Sequence, residues 1–275
     1  MYQLTANNQT LLIDRPLVMG IVNCTPDSFY TGSRTKDLIH AYTMIDQMVS
    51  DGADIVDIGG RSTRPGSVEI SAEEEIQRVI EVIRYIAKQY PNQWMSIDTT
   101  KSMVAEVAIQ EGCSIINDIS SGDMDQKMIE TVSRLKVPYI SMHMQGTPDT
   151  MQSNPMYQQI TKDIITYFKS KITQFQQHGI EQIIIDPGFG FGKTIEHNYS
   201  LLRELDSFMS LQKPLLVGLS RKSMIYKLLN TTPEESLNAT SALHMVALLK
   251  GAHILRVHDV KPAKEMIQLY QQLNP

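Results

Sequence analysis

The sequence has little of the material that several protein classes require. Only two of its 275 residues are cysteine, Cys24 and Cys113, so we expect buried thiols in a reducing compartment and not a secreted disulfide scaffold. No apolar run approaches the roughly 20 residues of a membrane span. Residues 1–12 lack the basic start and the apolar block of a signal peptide. We therefore expect a cytoplasmic protein with no membrane partner.

Basic residues are also scarce for a nucleic-acid-binding protein. Lys and Arg number 25 against 30 Asp and Glu, which gives a net charge of -5, and no run of Lys and Arg could form a basic patch. We expect no nucleic-acid partner.

The chain has 42 % hydrophobic and 20 % charged residues, enough for a sizeable core. No composition shift, low-complexity tract or linker divides it, so we predict one domain over residues 1–275.

Short apolar runs alternate with longer amphipathic stretches, which predicts alternating strands and helices. The predicted strands cover residues 17–22, 54–58, 94–97, 114–119, 138–144, 183–185, 215–219 and 254–257. The predicted helices cover residues 37–49, 72–88, 103–110, 126–135, a long segment ending near 178, 195–209, a short and a longer helix reaching 249, and 263–273. Eight such units favour a (β/α)8 TIM barrel, with an open doubly wound sheet as the alternative. Residues 2–14 are predicted to form a short N-terminal hairpin that closes the barrel floor.

Polar side chains follow nearly every predicted strand at the point where it ends. They are Asn23, Asp57, Asp98, Asn117, Asp118, His143, Asp186, Ser220, Arg221, Lys222, Arg256 and His258. The carboxyl ends of barrel strands share one face, and active sites of this fold lie there. Helix capping by Asp or Asn could explain single members, but it explains neither Arg256 with His258 nor the polar residues inside the runs. We therefore predict a functional site at this face.

Two features of this set point to an anionic ligand. Arg256 and His258 are two residues apart on a strand, so their side chains share a face. An arginine fork suits a phosphate or a diphosphate, although a salt-bridged strand end is the structural alternative. The turn at residues 220–223 precedes a predicted helix, where free backbone N–H groups favour an anion.

Asp98 and Asp186 could accept N–H donors of a heterocycle or stabilise a cationic intermediate.

The glycine-rich segment 188–194 resembles a phosphate-binding P-loop only superficially. That motif needs a glycine five positions before the glycine that precedes its lysine, and position 187 is Pro. The interleaved Phe189 and Phe191 instead suit a loop that presents aromatic surface.

The ordered set of motifs at these strand ends resembles the dihydropteroate synthase family, from about residue 16 to 262. The motifs are Asn-Cys-Thr-Pro-Asp-Ser-Phe at 23–29, Gly-Gly-Arg-Ser-Thr-Arg-Pro-Gly at 59–66, Ser-Ile-Asp-Thr at 96–99, Ile-Asn-Asp at 116–118, Met-His-Met-Gln-Gly at 142–146, Asp-Pro-Gly-Phe-Gly-Phe-Gly at 186–192, Ser-Arg-Lys-Ser at 220–223 and Arg-Val-His-Asp at 256–259. Each motif alone is moderately specific, and the ordered set is highly specific. Arg61 departs from the family pattern, in which we expect Glu or another residue.

The resemblance implies a transferase that condenses a pterin diphosphate with p-aminobenzoate, with Mg2+ as cofactor. It implies pterin binding by Asp98, Asn117, Met142, Asp186 and Lys222, with catalytic roles for Asp98 and Lys222. It implies diphosphate binding by Asn23, Thr63, Arg256 and His258, with Mg2+ bridging the diphosphate to Asn23. It implies p-aminobenzoate binding by Phe29, Arg64, Pro65, Phe191 and Ser223. Together with the apolar helix over residues 242–249, it also predicts a homodimer.

Two alternatives stay open. A pterin-binding methyltransferase domain would share Asn117 and the pterin carboxylates, but it would not need segment 62–65 or the turn at 220–223. A catalytically silent pterin-binding paralogue would be expected to lack Arg256, His258 or Lys222, and all three are present. For a synthase, the turn-rich segments 25–33 and 62–67 are expected to close over the substrate.

Overall fold

The computed structural model describes residues 1–25, 34–62, 69–148 and 150–274. It begins with an antiparallel hairpin of β1 (Tyr2–Ala6) and β2 (Gln9–Ile13). Asn7 and Asn8 form its two-residue turn at φ 50° and 59°, the backbone that tight hairpins need. Asn7 donates a hydrogen bond of 3.1 Å to the carbonyl of Cys113, and Thr5 N–H donates one of 2.6 Å to Gln182. Since these partners precede barrel strands, the hairpin covers the barrel floor, as predicted.

Eight parallel strands follow one another around the barrel. They are β3 (Leu17–Asn23), β4 (Ile55–Gly59), β5 (Trp94–Asp98), β6 (Ile115–Asp118), β7 (Tyr139–Met142), β8 (Ile183–Asp186), β9 (Leu216–Val217) and β10 (Ile254–Val257). Their spatial order is β8-β7-β6-β5-β4-β3-β10-β9. A parallel bridge between Ile185 and Leu215 joins the two end strands. The predicted (β/α)8 barrel is therefore confirmed, and the open doubly wound sheet is excluded because the sheet closes on itself.

The helices lie between the strands along the chain. They are α1 (Arg34–Ser50), α2 (Ala72–Gln89), α3 (Ser102–Gln110), α4 (Met128–Leu135), α5 (Ile160–Gln177), α6 (Ile195–Arg203), α7 (Ser223–Tyr226), α8 (Leu237–Leu249) and α9 (Val260–Leu273). Helix α2 shows how the sequence specifies them. The hydroxyl of Ser71 accepts a hydrogen bond from Glu74 N–H, which caps the helix. Val79, Ile83 and Ile86 recur at helical spacing and are buried against the barrel. Among the helices that the structure describes, none has the length and hydropathy of a membrane crossing.

Among the differences between the predicted and observed bounds, two have a clear local cause. The predicted helix over residues 195–209 ends at Arg203 and continues as a 3-10 helix over Leu205–Leu211. Its buried residues, Leu205, Phe208 and Leu211, are spaced by three, which matches the three-residue turn of a 3-10 helix. The strand predicted over residues 215–219 is shorter, because the chain turns at Leu219, whose carbonyl accepts the Lys222 N–H at 3.2 Å.

Candidate active site at the carboxyl ends of the barrel strands

Asp57 is the hub of the buried polar residues at the barrel mouth. Its carboxylate has no exposed surface and accepts hydrogen bonds from three strands. Ser96 Oγ donates at 2.5 Å, Asn117 Nδ2 lies 3.3 and 3.2 Å from the two oxygens, and Arg256 Nε donates at 2.6 Å. A buried charge needs a partner and hydrogen bonds to compensate its desolvation. Asp57 has both, because Arg256 is its ion-pair partner and Ser96 and Asn117 donate hydrogen bonds to it.

Arg256 joins this hub to Asp98. Its Nη2 donates to Asp98 Oδ2 at 2.6 Å while Nε holds Asp57. Burial alone would lower the pKa of Arg256, but the charges of Asp57 and Asp98 outweigh it and raise that pKa. Burial also raises the pKa of Asp98, and Arg256 opposes that rise. The guanidinium is therefore fixed in place by two carboxylates.

Asp98, Asn117, Met142 and Asp186 form one arc across four strands, β5 to β8. Asp98 pairs in register with Asn117, and Met142 pairs with Asp186. Asn117, Met142 and Asp186 are 4 %, 3 % and 7 % exposed. The arc thus offers carboxylate, amide and thioether groups side by side on one face of the barrel.

Lys222 completes the site beside Asp186. Burial raises the pKa of Asp186, and the charge of Lys222 opposes that rise. Burial lowers the pKa of Lys222 to about 8, with Asp186 opposing. The Lys222 ammonium donates to the carbonyl of Phe189 and lies 4.6 Å from the ring centroid of Phe191. It is therefore within reach of both the arc and the loop that carries Phe189 and Phe191.

The comparisons with known proteins place this arrangement in a family. The model of the pterin-binding enzymes matches residues 19–258. Dihydropteroate synthase of Escherichia coli (strain K12) is 45 % identical over 271 residues, which cover 98 % of this chain and 95 % of that protein. The chain belongs to the dihydropteroate synthase family. Dihydropteroate synthase of Haemophilus influenzae is 40 % identical over 271 residues, 98 % of each chain.

Solved structures of dihydropteroate synthases share the barrel. The Yersinia pestis enzyme in a sulfonamide drug complex has a TM-score of 0.92 and 40 % identity, over 99 % of this chain and 98 % of that one. The Xanthomonas albilineans enzyme with 4-aminobenzoic acid has a TM-score of 0.92 and 36 % identity, over 98 % and 97 %. The resemblance seen in the sequence is confirmed, and the chain, like its family, is a transferase.

The residues expected to hold diphosphate and p-aminobenzoate are only partly described. Asn23 ends β3 beside Asp98, since a Cβ on Gly59 would lie 3.8 Å from Asn23 Oδ1 and 3.5 Å from Asp98 Cβ. His258 Nδ1 lies 3.1 Å from Ser220 Oγ at the end of β10. Ser223 begins α7 directly after Lys222. Thr63, Arg64, Pro65 and Phe29, with most of the segments expected to close over the substrate, lie outside the described residues.

Arg221, within the turn 220–223, forms a two-pronged salt bridge with Asp259, at 2.8 Å for each nitrogen. Its Nη1 also donates to the carbonyls of Pro233 and Glu234. Through these contacts Arg221 braces the turn against Asp259 and the segment 233–234. Arg61, the departure from the family pattern, lies 3.4 Å from Glu69.

The sequence alone revealed neither the central position of Asp57 nor the burial of Lys193. Asp57 counted only as a strand-end residue, although a carboxylate within the otherwise apolar run Ile55–Gly59 is a signal for a buried network. Lys193 is 3 % exposed and belongs to the loop that carries Phe189 and Phe191. Lys193 follows Gly192 in the segment that does not match the P-loop pattern, so nothing in the sequence indicated a role for it.

Proposed function

We propose that the protein condenses 6-hydroxymethyl-7,8-dihydropterin diphosphate with p-aminobenzoate, giving 7,8-dihydropteroate and diphosphate in folate biosynthesis. The observation that carries this proposal is the arc of Asp98, Asn117, Met142 and Asp186 with Lys222 beside it. A pterin edge presents amino and ring N–H donors next to a carbonyl acceptor. Two carboxylates, an amide and an ammonium complement that edge, and Met142 offers apolar surface to the ring.

Arg256 is proposed as the main diphosphate ligand. Asp57 and Asp98 hold its Nε and Nη2, and its Nη1 makes no hydrogen bond with the described residues. A guanidinium that is already oriented loses little freedom when it binds an anion. His258, at the end of the same strand, and Asn23 extend the anion site, and Thr63 is assigned to it from the sequence alone.

Mg2+ is a proposed cofactor, and Asn23 is the residue that would hold it. Among the described residues there is no group of three or more His, Cys, Asp or Glu side chains that could bind a metal ion. One amide oxygen suits Mg2+, which commonly takes its other ligands from substrate phosphates and water. When bound, the ion would neutralise part of the charge on the leaving diphosphate.

The proposed reaction is substitution at the pterin methylene carbon. The bond from that carbon to the diphosphate oxygen breaks, and the arylamine nitrogen forms the new bond and then loses a proton. Positive charge develops on the dihydropterin as the diphosphate leaves. The carboxylate of Asp98 stabilises this charge, while Lys222 binds the pterin edge. Arg256 stabilises the negative charge on the departing group.

The proposed p-aminobenzoate site adjoins Lys222. Phe191 offers its ring face to the aryl group, and its centroid is 4.6 Å from the Lys222 ammonium. Ser223, the next residue after Lys222, would bind the carboxylate. Phe29, Arg64 and Pro65 are assigned to this pocket from the sequence alone. Since a family member has been solved with 4-aminobenzoic acid and another with a sulfonamide, we propose that sulfonamides compete for this pocket.

The activity is tested by supplying purified protein with the pterin diphosphate, p-aminobenzoate and Mg2+. Formation of 7,8-dihydropteroate, abolished by omission of either substrate, is the expected result. Binding of the pterin without product formation would contradict the proposal and favour a catalytically silent paralogue. Methyl transfer from a methylated pterin would favour the methyltransferase alternative.

A homodimer and a cytoplasmic location are further proposals. Helices α8 and α9 pack together, and Leu249, Leu269 and Leu273 on them are 58 %, 60 % and 68 % exposed. Exposed leucines on two helices that pack together support a protein interface on this side of the barrel. Sedimentation at micromolar concentration should give the mass of two chains, and a monomer would contradict the proposal. The two buried free cysteines support a reducing compartment.

A further inference from the structure

Lys193 is a buried lysine that hydrogen bonds no carboxylate among the described residues. Its ammonium lies 2.9 Å from the carbonyl of Phe191, 3.3 Å from the carbonyl of His143 and 3.1 Å from His143 Nδ1. Burial lowers its pKa to about 7, with Asp186 opposing. Burial likewise lowers the pKa of His143 to about 3, so the neutral imidazole is favoured beside Lys193.

Lys171, the other buried lysine among the described residues, provides a contrast. Lys171 is 8 % exposed and pairs with Asp123 at 2.5 Å, as a buried ammonium is expected to do. Lys193 instead bonds two backbone carbonyls and one neutral ring. An ammonium without a carboxylate is an expensive group to bury. Its contacts therefore point to a role in fixing two backbone segments relative to each other.

The two carbonyls belong to segments of the proposed active site. His143 directly follows Met142 at the end of β7, and Phe191 lies in the loop after β8. The two segments are already in close contact, because a Cβ on Gly188 would lie 2.0 Å from the His143 carbonyl oxygen. Lys193 links the two segments by hydrogen bonds to a carbonyl of each.

The loop that carries Phe191 is fixed on several sides. Gly190 N–H donates to Asn198 at 2.7 Å, and the Tyr157 hydroxyl donates to the carbonyl of Gly192 at 2.7 Å. On the side of the site, Lys222 contacts the carbonyl of Phe189 and the ring of Phe191. Among these groups, Lys193 is the one that bonds the backbone carbonyl of Phe191 itself.

We propose that Lys193 is a positioning residue for the arylamine substrate. By holding the Phe191 carbonyl against the end of β7, it sets the Phe191 ring against Lys222 and thereby shapes the p-aminobenzoate pocket. This inference rests on the proposed assignment of Phe191 to that pocket. Lys193 forms no hydrogen bond with the side chains of the proposed pterin ligands. Only its charge acts on Asp186 and Lys222, so pterin binding depends on Lys193 less than p-aminobenzoate binding does.

The test is Lys193→Met, which keeps the length of the side chain and removes its donors, with Lys171→Met as the matched buried control. Lys193→Met should raise KM for p-aminobenzoate at least about tenfold, or 1.4 kcal/mol, and change the Kd of the pterin diphosphate less than about threefold. Lys171→Met should lower the unfolding midpoint and leave both constants unchanged. If Lys193→Met changes the KM for p-aminobenzoate and the Kd of the pterin diphosphate by the same factor, the whole site has loosened and the inference is overturned.

A double-mutant cycle with Phe191→Ala decides whether Lys193 acts through Phe191. Lys193→Met should have no further effect on KM for p-aminobenzoate once Phe191 is Ala. The same fold-increase in both backgrounds would overturn the inference and leave the assignment of Phe191 intact. An unchanged KM for Phe191→Ala alone would overturn both. If Lys193→Met fails to fold, Lys193→Leu, which also removes the donors, replaces it in the cycle, with the same outcomes deciding.

Discussion

Replacement of Asp57 by Asn tests whether one buried carboxylate holds the catalytic groups together. The change removes the negative charge from a side chain with no exposed surface and turns one acceptor oxygen into an N–H2 donor. That donor must face Ser96, Asn117 or Arg256, all of which already donate to this side chain. Breaking a buried ion pair costs about 3–5 kcal/mol. Because Arg256 keeps Asp98 at 2.6 Å, we expect the lower end, a loss of about 3 kcal/mol in the free energy of unfolding.

The same substitution should also impair catalysis. Asn117 and Arg256 lose their common anchor, so the proposed pterin and diphosphate ligands are no longer oriented together. A loss of about 2–3 kcal/mol in transition-state stabilisation corresponds to about a 30- to 160-fold fall in kcat/KM for the pterin diphosphate.

Urea unfolding followed by circular dichroism and steady-state kinetics on the same preparation measure the two effects. Ser96→Ala is the matched control, because it removes one hydrogen bond to Asp57 but leaves the charge and Arg256 in place. It should cost about 1 kcal/mol and leave kcat/KM within about fivefold, or 1 kcal/mol. A destabilised Asp57→Asn protein with wild-type kcat/KM would refute the positioning role. Wild-type stability would refute the buried ion pair as well.

Four further predictions concern the proposed ligands. Asp98→Asn should fold but lose more than about tenfold in turnover, or 1.4 kcal/mol, because the charge opposite the developing cation is gone; smaller losses in steady-state assays would contradict that role. Arg256→Ala should weaken binding of the pterin diphosphate far more than binding of a pterin without phosphates. Calorimetry showing the same loss of affinity for both ligands would refute the assignment of Arg256 to the anion. Because burial lowers the pKa of Lys222 to about 8, its charge is lost above that pH, so kcat/KM should fall between pH 8 and 10; a flat profile would exclude a charged Lys222. Calorimetry should show tight p-aminobenzoate binding only when diphosphate, Mg2+ and a pterin are present, since these ligands order the second site first; equal affinity without them would contradict the coupling.

The amino-acid sequence by itself determined the barrel and most of the proposed site. Hydrophobic period is a local property, so it specified eight strand–helix units and which residues end each strand. Parallel strands in a barrel bring their carboxyl ends to one face. Asp98, Asn117, Asp186 and Lys222 could therefore be assigned to one site before their distances were known. The ordered motifs then identified the family.

The contacts between these residues were decided only by the tertiary structure. Arg256 donates to Asp57 and Asp98 because the barrel brings together strands that lie far apart in the sequence. Arg221 and Lys222 are adjacent cations, yet Arg221 forms a salt bridge with Asp259 while Lys222 lies beside Asp186 in the proposed active site. Lys193 is buried because the loop after β8 folds back on the end of β7. Such pairings depend on strand register and loop paths over long sequence separations, which neither spacing nor residue type specifies.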